Sequence, residues 1–385
     1  VVAELLTEAT RLHRYGYYAE ERELLQRFLD EGSDPAALTE ARYRLGESYL
    51  ADGQYATALS TLDAFIADAG GAQATAQTLD ATFLRGEALA GLGRYEEALA
   101  AYRLFSQSDP VLAQPLAELM AQVYREARNW QAAGDAYRQA SAAAATTSEQ
   151  ARLLEAAATS YESGRLYAQA ARAYDEILAF AVQPAYRASI LYRAGSAYAA
   201  GGDEANGVSR WEQALSEGPT LNAAYQSLIE LVNRNVPVDD FQRGFINVNA
   251  GAYFPAIAAL ERFLATEPTG DSRGNTLLYL GQAHLGAGNW DEAIGYLEQV
   301  MAEHPGCACF GQAGLDRARL EISRGDDVAG RRLYRTFARE HPTQPLAPEA
   351  LWRSALSAIA ADNQLEAGID ILTLVDAFPQ SDRAS

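Results

Sequence analysis

Hydrophobic and polar positions in this chain recur with a long period. Short turns centred on Gly16, Gly53, Gly93, Arg128, Arg165, Gly202, Gly251, Gly288, Gly325 and Asp362 are separated by 37, 40, 35, 37, 37, 49, 37, 37 and 37 residues. Between turns the apolar residues keep helical spacing, so each unit reads helix, tight turn, helix, loop. The long interval is 37 plus 12. Within it Leu221, Tyr225, Leu228, Leu231 and Val232 keep helical spacing until Pro237 breaks the run, which predicts one inserted helix over 221–236.

Each column relative to the turn has a physical meaning. Seven residues before it stand Ala9, Gly46, Gly86, Ala121, Ala158, Gly195, Gly244, Gly281, Ala318 and Ala355, all small. Five after it stand Ala58, Ala98, Ala133, Ala170, Gly207, Ala256, Ala293, Gly330 and Ala367, with only Glu21 departing. Small residues on both helices predict a crossing where backbone meets backbone. Nine after the turn come the large plugs Leu25, Leu62, Tyr102, Tyr137, Tyr174, Trp211, Leu260, Leu297, Tyr334 and Ile371, expected to fill space between neighbouring repeats. Two after it, Tyr18, Tyr55, Tyr95, Trp130, Tyr167, Tyr253 and Trp290 open the second helix and staple its start. Seventeen after it, Pro110, Pro219, Pro268, Pro305, Pro342 and Pro379 end it. Glycine at seven of the turns suits a left-handed residue at the end of the first helix.

These columns resemble the tetratricopeptide repeat, in the order small, aromatic, small, large, proline, over nearly the whole chain. The period is longer than the family's usual one. The resemblance implies an all-α fold: a right-handed α-solenoid of about ten helix-turn-helix repeats with one inserted helix. Repeats one to six occupy 1–220, the insert 221–236, and repeats seven to ten 237–385. The run from Val238 to Gly244, then Ala250 to Tyr253, Ala256-Ile257 and Leu260 to Leu264, also resembles the superhelical, non-catalytic region of bacterial soluble lytic transglycosylases. In those proteins a separate lysozyme-like domain follows the solenoid and carries a Glu-Ser motif. Glu47-Ser48 sits inside a repeat helix and is read as structural. A solenoid ordinarily finishes with a polar capping helix. None is visible before Ser385, so the array is expected to continue or to be covered by a neighbour.

Composition narrows the chemistry. Hydrophobic residues are 49% and charged residues 21% of the 385, ordinary for a folded protein. No apolar run is long enough to suggest a membrane span. The net charge of -20 argues against phosphate-backbone binding, so no nucleic-acid partner is expected. All 31 basic residues are arginine, which removes lysine-based catalysis. No phosphate loop, dinucleotide fingerprint, nucleophile elbow or zinc-protease helix is present, so no enzyme activity, catalytic residue or cofactor is assigned. His13, His284, His304 and His341 are read as structural: His284 packs in the core, and His304 and His341 cap helix ends. Cys307 and Cys309 have one spacer and one nearby histidine, short of a zinc set, and no metal site is assigned. A disulfide across so small a loop is expected to be strained, so the two thiols are read as packing residues.

In the tetratricopeptide family the first helix of each unit lines the concave groove. Mapped through the columns, the groove would carry Tyr43, Arg44 and Glu47; Phe83 and Glu87; Gln122 and Arg125; Tyr192 and Arg193; Tyr279 and Gln282; Trp352 and Arg353. Aromatic-arginine neighbours at Tyr43, Tyr192 and Trp352 suit a sugar or an extended peptide, or else pack between repeats. Family members that clamp a C-terminal carboxylate use lysine and asparagine there; the missing lysine with Glu47 and Glu87 argues against that partner. The expected function is a protein-interaction or scaffolding solenoid holding a protein or peptide, extracytoplasmic in the bacterial envelope, with the cytoplasm as the alternative. A peptidoglycan-binding region of a lytic transglycosylase and an assembly factor for outer-membrane or secreted clients are the competing expectations.

Overall fold

A computed structural model describes residues 2–69, 76–107 and 113–384, and among them finds helices and no strands. In the first half these are α1 (Val2–Arg14), α2 (Tyr18–Glu31), α3 (Pro35–Ala51), α4 (Tyr55–Ala69), α5 (Ala76–Gly91), α6 (Tyr95–Ser106), α7 (Ala113–Glu126), α8 (Trp130–Ala142), α9 (Thr147–Ser163), α10 (Tyr167–Leu178), α11 (Pro184–Ala200) and α12 (Glu204–Glu217). Then follow α13 (Asn222–Asn233), α14 (Asp240–Asn249), α15 (Tyr253–Leu264), α16 (Gly270–Ala287), α17 (Trp290–Glu303), α18 (Cys309–Ser323), α19 (Asp327–Glu340), α20 (Ala347–Ala360) and α21 (Gln364–Ala377). They form the ten expected helix pairs, and α13 is the expected inserted helix. Each helix packs chiefly on its neighbours in the chain, as in a tetratricopeptide-like solenoid. The chain divides into two compact units, one of Val1–Ala181 with Arg193–Gly207 and one of Val182–Tyr192 with Val208–Ser385.

All ten turn positions have positive φ. The seven glycines lie between 70° and 90°, while Arg128, Arg165 and Asp362 take 56°, 56° and 55°. The turn therefore demands a left-handed residue whether or not glycine supplies it. The prolines past the second helix stand where expected at Pro219, Pro268, Pro305, Pro342 and Pro379, just beyond the ends of α12, α15, α17, α19 and α21. Pro110 lies outside the described residues.

The small columns behave differently from expectation. A β-carbon on Gly46 would meet Leu62 Cδ2 at 2.6 Å, one on Gly86 would meet Tyr102 Cε1 at 2.7 Å, and one on Gly244 would meet Leu260 Cγ at 2.3 Å. The column before the turn is thus kept small by the plug of its own repeat, a side chain and not a backbone. Backbone approach occurs at the column after the turn: a β-carbon on Gly207 would lie 3.1 Å from the Gly195 carbonyl, and one on Gly330 would lie 2.9 Å from the Ala318 carbonyl and nearer still to the Ile322 side chain. The plugs from Leu25 to Tyr334 are buried, each worth roughly 1.5–3 kcal/mol for an aliphatic side chain. Ile371 is the exception, 37% exposed.

The aromatic column also does more than staple its own helix. Tyr55 lies where a side chain at Gly91 would go, and Tyr253 where one at Gly286 would go. Each ring therefore presses on the end of the next repeat's first helix, and contact between repeats rests on it. Glu21, the one departure from the small column, is buried and meets His13 Nδ1 at 3.0 Å.

The cysteine expectation is corrected. Cys307 and Cys309 are joined by a disulfide, and both are buried. Cys309 is the first residue of α18. The backbone after Pro305 folds tightly: Cys307 N–H donates to the His304 carbonyl and Phe310 N–H to the Cys307 carbonyl. This brings the two Cα atoms to 5.1 Å, ordinary for a disulfide. The sulfurs rest against Gly274 of α16.

His304 and His341 follow α17 and α19 as C-caps, their N–H groups donating to the Val300 and Phe337 carbonyls. His284 is buried in the second unit and stacks on Tyr296 with centroids 5.4 Å apart.

Candidate functional site

In the first unit the C-terminal halves of α1, α3 and α5 and the end of α7 leave a cavity of about 560 Å³. Its lining alternates polar and apolar: His13, Glu47, Glu87 and Glu126 with Leu50, Leu84 and Tyr55. The first helices α3 and α5 of successive repeats lie side by side. Residues six before each turn then fall into a row: Thr10, Glu47, Glu87, Gln122 and Thr159.

The row is acidic at its centre. Burial pushes the Glu47 carboxyl above its ordinary range, partly countered by a hydrogen bond from Tyr43 and by the positive charge of nearby His13 and Arg44. Burial alone raises Glu87. Burial, with the Glu47 charge, raises the Tyr43 phenol as well, so it stays a hydrogen-bond donor. Glu87 and Glu126 have no ion-pair partner among the described residues. Two half-buried carboxylates that resist ionising, beside an open acidic neighbour, form a place that gains from an incoming cation.

The other groove candidates fall into different settings. Arg44 is held by Glu40 at 2.7 Å and by Thr10, and the Tyr43 ring packs on Phe65 at 5.6 Å. Phe83 packs between Tyr102 and Phe105. Gln122 and Arg125 are exposed on α7. Arg193 binds Glu155 at 2.6 Å and lies over the Tyr174 ring at 4.6 Å. In the second unit the Tyr192 carbonyl accepts from Trp211 Nε1. Tyr279 packs on Phe245 at 4.9 Å, and Gln282 donates to Asp316 at 2.7 Å. Arg353 is tied to Glu349 at 2.7 Å, and Trp352 lies under Arg383. Arg44, Arg193 and Arg353 are thus engaged within the protein, each paired with a carboxylate, and the Tyr43 and Trp352 rings pack on Phe65 and against Arg383.

Sequence reasoning did not place His13, Tyr55 and Glu126 at the cavity. The aromatic column carried a signal for Tyr55; Glu126 shares its column with Ala51 and Gly91, which gave no sign of charge there. It also missed a buried polar network in the second unit. There Arg335 holds Asp370 at 2.6 Å and Glu366 at 2.8 Å, Arg331 reaches Glu366 at 3.0 Å, and Ser354 donates to Asp370 at 2.7 Å. Among the described residues no helix is long and apolar enough to cross a membrane, and no group of histidine, cysteine and carboxylate side chains is arranged to hold a metal ion.

Residues 43–111 and 275–306 match sequence profiles of the tetratricopeptide repeat. No curated protein matches the chain. Similar solved structures include the tetratricopeptide domain of P58(IPK), at 16% identity and a TM-score of 0.27, covering 94% of this chain and 99% of that one. A tetratricopeptide repeat protein from Parabacteroides merdae is 13% identical with a TM-score of 0.29, covering 72% and 99%. The Cut9-Hcn1 assembly is 12% identical with a TM-score of 0.31, covering 100% and 95%.

Proposed function

We propose that this tetratricopeptide-like solenoid is a protein-interaction scaffold whose first unit takes an arginine- or lysine-bearing segment of a partner into the cavity between α1, α3, α5 and α7. The observation that carries the reading is that Glu47 and Glu87, half-buried at one column of successive first helices, both line the cavity with neither held in an ion pair among the described residues. A guanidinium or ammonium between them supplies the charge that burial withholds. The intervening apolar lining of Leu50 and Leu84 suits the aliphatic stem of such a side chain.

The test is a fluorescence-polarisation titration with an extended peptide alternating arginine and alanine, at low and high salt. Glu47→Gln and Glu87→Gln should each weaken binding by roughly tenfold, as charge-assisted hydrogen bonds are worth ~1.5–3 kcal/mol. Salt should weaken the wild type more than the variants. Absence of binding, or variants that bind as tightly as wild type, would overturn the reading. Sedimentation of the protein with insoluble peptidoglycan, unaffected by these substitutions, would favour the glycan alternative.

An oxidising, extracytoplasmic location belongs to the same proposal. The Cys307–Cys309 disulfide supports it, since such bonds persist outside the reducing cytoplasm. Thiol alkylation followed by mass spectrometry of protein taken from its native host tests it: two alkylated cysteines would count against that location.

A further inference from the structure

The last helix breaks a pattern that the other repeats keep. Ten residues after the turn the first unit has Gln26, Asp63, Arg103, Arg138 and Asp175. The second unit has Glu212, Glu261, Glu298 and Arg335 at that column, and then Leu372. Seven after the turn Ile369 stands where other repeats have charged, hydroxyl or very small residues such as Glu23, Asp135 and Arg332. Leu365, Ile369 and Leu372 are 78%, 52% and 66% exposed. Their spacing of four and three puts them on one face of α21.

A further repeat stacked on α21 would not cover this face. In the earlier repeats the same columns stay exposed or half-buried although a helix follows: Asp63, Arg138, Glu261 and Glu298 are all exposed. The apolar stripe therefore answers to a partner that approaches from the side, across the array.

We propose that this partner is a second copy of the chain, paired through α21 about a two-fold axis. The stripe is complementary to itself. Leu365 and Leu372 stand at equal distances on either side of Gly368 and Ile369. An antiparallel crossing centred there sets Leu365 against Leu372 of the second copy, and Ile369 against Gly368 of the second copy. Gly368 has nothing within 4 Å of the place a β-carbon would occupy, so the helix surface there is open for that isoleucine to approach. A projecting isoleucine and an open glycine on one helix suit an isologous contact. The charges agree. The chain carries -20 overall, but the acids beside the stripe, Glu366 and Asp370, are neutralised within their own copy by Arg331 and Arg335. Arg332 on α19 and Asp376 on α21 are both exposed and in no ion pair among the described residues, one charge of each sign for a second copy to meet.

Sedimentation velocity of the full chain over a wide concentration range tests the pairing. Wild type should approach twice the monomer mass. Leu372→Glu, which restores the residue type found in this column at Glu212, Glu261 and Glu298, should weaken pairing by about tenfold or more while leaving helicity and unfolding unchanged. Gly368→Leu, which fills the open surface, should do the same. Phe254→Glu, at a 73% exposed aromatic away from α21, should leave the mass unaltered. Ile369→Cys should yield disulfide-linked dimers on mild oxidation. A wild type that stays monomeric overturns the proposal and leaves the face to a different protein; a Leu372→Glu chain that pairs as tightly as wild type overturns it by placing the contact elsewhere.

Discussion

The Tyr102 ring fills the space that a side chain at Gly86 would need, with Cε1 at 2.7 Å from the missing β-carbon. Tyr102 is itself buried, so it has nowhere to retreat. Gly86→Ala should therefore destabilise the first unit by about 1 kcal/mol, the overpacking cost of ~1–3 kcal/mol exceeding the gain in helix propensity of ~1 kcal/mol. Gly295, also inside a helix, has nothing within 4 Å, and Gly295→Ala should instead stabilise by ~0.5–1 kcal/mol. Urea unfolding of the two variants reads the opposite signs directly.

Arg165 holds a left-handed turn position at φ 56° that glycine holds elsewhere. Arg165→Gly should relieve the steric penalty and stabilise by ~0.5–1 kcal/mol after the entropy of the freer unfolded chain is counted. Gly202→Ala, at φ 85°, should cost ~1 kcal/mol. Thermal melts of both variants check the pair.

Asp370 is buried and held by Arg335 and Ser354. Asp370→Ala removes the acceptor of the buried Ser354 hydroxyl and one of the two carboxylates on Arg335, which keeps Glu366, and should cost ~1–3 kcal/mol in the second unit. Adding Arg335→Ala should recover part of that loss, which a double-mutant cycle in urea measures.

His284 is held below its ordinary pKa by burial, with the Asn289 amide 3.2 Å from Nδ1 and no partner on Nε2. A depressed histidine contributes stability that is present above its unfolded pKa, near 6.5, and is lost as pH falls through the folded value. His284→Phe should flatten the decline of unfolding free energy on the acid side of neutrality. Unfolding midpoints measured across that pH range decide it.

Glu47 and Glu87 shift the other way. With pKa raised by burial, they gain protons sooner than ordinary glutamates as pH falls. Binding of the arginine peptide should therefore fade at a pH above the ordinary glutamate range. The double variant Glu47→Gln, Glu87→Gln, which has neither raised carboxyl, should lose that fade when the peptide titration is repeated across pH.

The repeat was legible because stacking forces the same residue size at the same offset in unit after unit. Ala58, Ala98 and Ala133 announced a crossing before any coordinates did. The partner of each small residue was not legible. Whether Gly46 meets a backbone or the Leu62 side chain depends on how far one helix rides over the other, a quantity no column records. The disulfide was hidden for a related reason: two hydrogen bonds after Pro305 set the Cys307–Cys309 geometry, and spacing alone suggested strain. At the cavity, Glu47 and Glu87 were readable from their shared column. Glu126 was not, because it reaches the site from the last turn of α7 at a different offset.

Tyr55 on Gly91, and Tyr253 on Gly286, tie each repeat to the one made immediately after it. Nothing in these contacts waits for sequence far away. Such a chain can consolidate in the order in which a ribosome delivers it, each new hairpin locking the one before, and it can come apart in the same increments under load.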